Sequence, residues 1–95
     1  MPNKNYRKGY TFENKLVNEF RKKGCFATRT AGSHSPFDII AINGKKIFLI
    51  QCKANDLSVS EFNNAILKMP DIAAELDVVK MVAFKKDRKT VLMEV

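Results

Sequence analysis

Four polar side chains stand where local structure would choose apolar ones: Glu13, Asp38, Gln51 and Lys53. Two carboxylates and an amide oxygen are hard donors of the kind Mg²⁺ takes, usually as one or two carboxylates completed by water and substrate phosphate. An ammonium group beside them could orient a water or neutralise charge developing on a phosphate. Glu13, Asp38 and Gln51 as metal donors with Lys53 alongside therefore suit metal-assisted hydrolysis of a phosphodiester. The plainer alternative is a buried ion pair between Asp38 and Lys53, with Glu13 reaching out at a helix edge. One such residue means little. Several that converge mark a candidate site, because a buried charge is costly unless it is paired or bound to metal.

Convergence depends on the elements that carry these residues. Phe-Asp-Ile-Ile-Ala-Ile, Asn-Gly-Lys-Lys and Ile-Phe-Leu-Ile-Gln-Cys-Lys follow one another from Phe37 to Lys53. Two apolar runs around Asn43-Gly44 predict a β-hairpin. Side chains alternate faces along a strand, so Gln51 and Lys53 share one. A two-residue loop, with Ile42 opposite Lys45, or a four-residue loop, with Ile42 opposite Ile47, puts Asp38 on the Gln51 side; a three-residue loop does not. In the four-residue arrangement Asp38 faces Gln51 with Cβ atoms about 5 Å apart, and in the two-residue arrangement they are diagonal at about 7 Å. One small cation could bridge either distance.

Ahead of the hairpin, Gly9 precedes a helical pattern over residues 10–23, with Phe12, Leu16, Val17 and Phe20 on one stripe and Gly24 ending it. At 100° per residue Glu13 falls inside that stripe, pointing at the rest of the protein, whereas Glu19 lies on its flank as an ordinary surface residue. Residues 25–30 read as a short strand, and Ala31 to Pro36 as turn chemistry. A helix beginning near Ser58 or Ser60 carries Phe62, Ile66 and Met69 on one face until Pro70 breaks it, and residues 71–76 suggest a second, short helical piece. Residues 78–84 and 90–95 read as two final strands joined by a turn over 85–89. The order is helix, three strands, helices, two strands, an α/β arrangement.

Ninety-five residues suit a single domain, 1–95, that buries about two-thirds of its unfolded surface. No apolar run approaches the ~18 residues of a membrane span, and the basic N-terminus leads into no apolar signal core, so a cytoplasmic protein is expected. Cys25 and Cys52 lack Cys-x-x-Cys spacing and are expected to be reduced, idle thiols. Charge is uneven: residues 1–30 hold eight basic side chains against two acidic, a balance of +6 out of +7 for the whole chain. A basic third on an otherwise balanced domain suits a polyphosphate ligand, although a solvated lysine-rich surface reads the same way. The apolar residues Phe62, Ile66, Met69, Val91, Met93 and Val95 either cover the sheet or leave surface for a partner, in which case symmetry favours a two-fold homodimer.

Tyr6-Arg7-Lys8-Gly9, Glu13, Gly24, Arg29, Ala31-Gly32-Ser33, Asp38, Asn43-Gly44-Lys45-Lys46 and Lys53 follow in order and spacing the pattern of archaeal Holliday junction resolvases, a branch of the PD-(D/E)XK nuclease superfamily. The resemblance is dense over residues 6–53. It implies a restriction-endonuclease-like fold, with a central mixed β-sheet of about five strands flanked by helices. It also implies a homodimer and Mg²⁺-dependent cutting of four-way DNA junctions, with Mn²⁺ as a substitute cation. Glu13, Asp38, Gln51 and Lys53 fall on the family's active-site positions, Ser33 on a serine of the loop at the site, and Arg29 on a basic residue near the DNA. Arg7, Lys8 and Arg29 would track the phosphate backbone. His34, in the same loop as Ser33, is a spectator by default, with phosphate contact as its candidate role. Gln51 stands where these resolvases carry Glu, although Mrr-like nucleases use Gln there, and one charge fewer implies weaker Mg²⁺ binding. An Mrr-like or general endonuclease on other DNA, and a silent DNA-binding relative, are the alternative readings.

Overall fold

The computed structural model describes residues 4–30, 36–70, 72 and 74–95, with side chains from Gly9 onward. Helix α1 spans Lys4–Lys22, six residues longer at its start than the sequence pattern suggests. Gly9 does not interrupt it. A helical glycine costs about 1 kcal/mol, and Phe12, Leu16, Val17 and Phe20, all buried, hold the helix down. Arg7 and Lys8 thereby lie in its first turns.

Gly24 ends α1 through a Schellman arrangement: the Cys25 N–H donates to the Phe20 carbonyl at 3.1 Å and the Gly24 N–H to the Arg21 carbonyl at 3.0 Å. Gly24 has φ +89°, a region that L side chains rarely enter. The Arg21 and Lys22 side chains in the last turn complement the helix dipole.

Strands β1 (Phe26–Arg29), β2 (Ile39–Ile42), β3 (Lys46–Lys53), β4 (Asp77–Lys86) and β5 (Lys89–Glu94) form one sheet in sequential order. All pairings are antiparallel except β3 with β4. That parallel pair requires a crossover, supplied by the chain carrying α2 (Val59–Leu67). Ser58 is the α2 N-cap, and its hydroxyl and the Glu61 carboxylate form a reciprocal capping box.

The sheet is buried on both sides. Phe12, Leu16, Val17 and Phe20 of α1 pack on Ala27, Ile39, Ala41, Ile50 and Ala83. On the other face Phe37, Leu49, Met69, Val82 and Phe84 form a second core, flanked by Phe62, Ala65 and Val91. Phe62, Met69 and Val91 thus cover the sheet, while Met93 and Val95 stay exposed.

Two further elements differ from the sequence reading. Asp71 and Ala73 lie outside the described residues, and Ile72 and residues 74–76 are not helical; so short a piece cannot offset the cost of nucleating a helix just before β4 begins. The β4–β5 turn narrows to Asp87 and Arg88, with φ of 51° and 64°. Left-handed backbone at both central positions is the hairpin turn whose twist matches its strands.

Gly24→Ala should therefore destabilise the fold by about 1–2 kcal/mol, because alanine pays the left-handed penalty that glycine avoids. Urea denaturation of both proteins checks this.

Candidate active site

The β2–β3 hairpin adopts the arrangement with Ile42 opposite Ile47. Asn43 closes it: its Oδ1 accepts the Lys45 and Lys46 N–H groups at 2.8 and 2.7 Å, and its own N–H donates to the Lys46 carbonyl at 3.0 Å. Extended without interruption, this pairing would set Asp38 directly across from Gln51. The ladder instead slips at its far end. The Asp38 N–H donates to the Ile50 carbonyl at 2.7 Å, although Ile50 is the partner of Ile39. Two consecutive residues of one strand thus meet one residue of the next, which is a β-bulge.

The bulge re-aims the Asp38 carboxylate, whose Oδ2 accepts the Cys52 N–H at 2.8 Å. From the other side, Thr30 holds the same segment through its N–H to the Asp38 carbonyl (3.0 Å) and its hydroxyl to the Phe37 carbonyl (2.7 Å). Asp38 is therefore seated on the backbone of β3, between the residues that carry the Gln51 and Lys53 side chains.

Ile50 and Cys52 pack towards α1, so alternation sends Gln51 and Lys53 to the α2 face. There they form the floor of an open cleft of about 220 Å³, walled by Glu61, Asn64, Ala65 and Lys68. The wall residues follow the three- and four-residue spacing of one helical stripe.

Glu13 approaches from the α1 side. Its Oε2 meets Arg29 Nη2 at 3.4 Å, with side chains 15% and 30% exposed respectively. The Arg29 guanidinium carbon lies 4.4 Å from the centre of the Tyr10 ring. Arg29 is thus engaged by α1 as an ion-pair and stacking partner, where the sequence suggested only a backbone-tracking role.

Burial raises the pKa of Glu13, and the Asp38 charge raises it further against the opposing pull of Arg29. Burial also raises that of Asp38, opposed by the Cys52 N–H and by the charges of Lys53 and Arg29. Asp38 is therefore within electrostatic reach of both faces: Glu13 and Arg29 on one, Lys53 on the other. Burial, with help from the two carboxylates, pushes the Cys52 thiol well above the usual thiol range, which keeps it chemically idle. Both cysteines are free.

The donor set suits a hard divalent cation. Two partly desolvated carboxylates, one raising the pKa of the other, are stabilised by positive charge, and Mg²⁺ asks for no more than one or two of them. Among the described residues no three His, Cys, Asp or Glu side chains gather as a metal cluster. The third protein donor would have to be the Gln51 amide. Ser33 and His34 lie outside the described residues, as do the side chains of Arg7 and Lys8.

The model for the family described as archaeal Holliday junction resolvase (Hjc) matches residues 4–95. The chain belongs to that family. The match extends well beyond residue 53, where the motifs legible by eye thin out, and the five-stranded mixed sheet with helices on both faces agrees with the restriction-endonuclease-like architecture of these resolvases. Among curated proteins no match is found. No helix among the described residues is long and apolar enough to cross a membrane.

Tyr10 and the cleft wall of Asn64 and Lys68 are not apparent from the sequence. Tyr10 stands three residues before Glu13 and hence on the same side of α1, a signal obscured by starting the helix at Tyr10 itself. The α2 wall was hidden because only the crossover brings residues 61–68 beside β3.

Asp38→Asn tests the electrostatics. The amide retains an acceptor for the Cys52 N–H and removes the desolvated charge, so the variant should unfold at a higher temperature than the parent at pH 7. A carboxyl whose folded pKa is raised costs stability once ionised. That cost should fade as pH falls through the raised folded pKa and vanish below the unfolded value near 3.8. Thermal midpoints of both proteins between pH 3.5 and 8 should accordingly converge towards the acid end.

Proposed function

We propose that this protein is a structure-selective endonuclease that resolves four-way DNA junctions by Mg²⁺-dependent phosphodiester hydrolysis. The observation that carries the reading is the Asp38 carboxylate, seated on the Cys52 N–H with Glu13 and Arg29 to one side and Lys53 to the other. Family membership supports branched DNA as the substrate.

Asp38 and Glu13 would hold a divalent cation through their carboxylates, and Gln51 through a neutral amide oxygen; when bound, Mg²⁺, or Mn²⁺ in its place, would supply Lewis-acid polarisation of the scissile phosphate and a lowered pKa for the attacking water. Lys53, two residues from Gln51 on the same cleft, orients the water or offsets charge developing on the phosphorus oxygens. Lys68 adds a second ammonium on the α2 wall, so the cleft offers positive charge on both sides of an entering strand. Ser33 hydrogen-bonds a phosphate oxygen or the water. Arg7 and Lys8 contact the DNA backbone, which orients a duplex without reading sequence, and phosphate contact is the candidate role of His34.

Selection of a junction over a linear duplex then comes from two sites held at fixed spacing in a homodimer. Leu92, Met93 and Val95, exposed along the β5 edge of the sheet, provide apolar surface for the second copy. Sedimentation equilibrium should find a dimer, and Met93→Asp should shift the equilibrium towards monomer.

The deciding experiment is incubation of a labelled mobile four-way junction with protein and Mg²⁺, beside a linear duplex of the same sequence. Paired nicks in the junction alone support the reading. Equal cutting of the duplex points to a general endonuclease, and tight junction binding without cutting in Mg²⁺ or Mn²⁺ points to a silent relative. Asp38→Asn should lower the cleavage rate by at least about a hundredfold while junction affinity stays within a few-fold. Gln51→Glu should preserve or raise the rate at low Mg²⁺, because a carboxylate is the stronger donor; a large loss would assign Gln51 another task.

A further inference from the structure

Arg29 makes contacts that its charge alone does not explain. Its Nη2 is 3.4 Å from Glu13 Oε2, at the long end of a hydrogen bond. Its Nε, on the same edge of the guanidinium, is buried and has no acceptor among the described residues. That edge can bind a carboxylate through two parallel N–H groups, and only one is in use. The central carbon of the same group lies over the Tyr10 ring, 4.4 Å from its centre, close enough for the planar face to stack on it.

A half-filled fork leaves the guanidinium plane undetermined by Glu13 alone. One N–H contact permits rotation about its own axis, whereas two would fix the plane. The Tyr10 ring supplies the missing constraint, since a guanidinium stacked on an aromatic face must keep its plane against the ring. Tyr10 and Glu13, three residues apart on α1, grip one side chain projecting from β1, so helix and sheet edge are tied at the carboxylate itself. Arg29 is also the cation whose charge acts on both Glu13 and Asp38.

We infer that Tyr10 is a positioning residue of the nuclease site: its ring sets the plane of the Arg29 guanidinium, and through it the place of the Glu13 carboxylate. This rests on the nuclease reading and adds to it a residue acting one step removed from the reacting atoms. Tyr10→Leu keeps an apolar side chain at a half-exposed helix position and removes the π face. Tyr10→Phe keeps the face and removes only the hydroxyl.

The test compares wild type, Tyr10→Leu, Tyr10→Phe, Arg29→Gln and the double variant Tyr10→Leu/Arg29→Gln. Single-turnover cleavage of a four-way junction with protein in excess yields a maximal rate constant and a half-saturating protein concentration for each. Tyr10→Leu should lower the rate constant about two- to fivefold, the scale of a cation–π contact at a partly exposed site. Half-saturation should stay within twofold, Tyr10→Phe should match wild type, and Tyr10→Leu should cost nothing further once Arg29 is Gln. A Tyr10→Leu rate equal to wild type, an equal loss in the Arg29→Gln background, or a loss confined to half-saturation overturns the inference.

The arrangement is also read without cleavage. In NMR spectra the Arg29 side-chain protons should lie upfield in wild type and Tyr10→Phe, and move to ordinary positions in Tyr10→Leu. If the wild-type protein cuts no junction, the nuclease reading fails by itself, and these resonances still show whether Tyr10 holds Arg29. Unshifted Arg29 protons in the wild-type spectrum remove the stacking, and with it the role given to Tyr10.

Discussion

Two carboxylates partly withdrawn from water, close enough for one to raise the pKa of the other, are the constraint around which this small protein is arranged. Glu13 and Asp38 both pay a desolvation cost, and the surroundings offset it with specific groups: Arg29 at Glu13, and the Cys52 N–H and Lys53 charge at Asp38. A fold selected for stability alone would place apolar or neutral groups at these positions. Under the proposed function, destabilisation of the free protein would be the counterpart of affinity for a divalent cation and a phosphate, since positive charge is what such a pair lacks.

The sheet makes this arrangement possible by failing to be regular at one place. Up to Ile39 the β2–β3 ladder is continuous, with every second side chain in the core beneath α1. At Asp38 the bulge adds a residue and turns the carboxylate onto the backbone of β3. A regular strand would commit Asp38 to one face of the sheet. The irregular one leaves it at the rim, where charges from α1 and from the α2 cleft both act on it. Bulges are commonly found next to active sites for this reason.

Helix α1 contributes in two ways through a single surface. Its buried stripe anchors β1, β2 and β3, and the interruption of that stripe by Glu13, with Tyr10 beside it, carries polar chemistry to the edge of the core. Arg29 joins the two elements there. The opposite face is divided in a similar way. Phe62 and Ala65 pack α2 on the sheet, while Asn64 and Lys68 turn towards Gln51 and Lys53 and leave an open cleft between.

Much of this was legible in the residues alone, and the reasons are local. Period and parity placed Glu13 within an apolar helix stripe and Gln51 with Lys53 on one strand face; Asn43-Gly44 marked the turn, and Gly24 the helix end. These depend on neighbours within a few positions, for which side-chain spacing is a sufficient guide. The hairpin loop length stayed open because both even lengths satisfy the same pattern, and the Asn43 Oδ1 hydrogen bonds are what select one. Long-range association decided the rest. The slip at Asp38 depends on a hydrogen bond to Ile50, the hold on Arg29 on a helix sixteen residues away, and the cleft wall on a crossover that parallel strands require. Sequence specified which residues could do chemistry, whereas packing across the sheet decided which of them meet, because contacts between distant segments leave no periodic trace in either one.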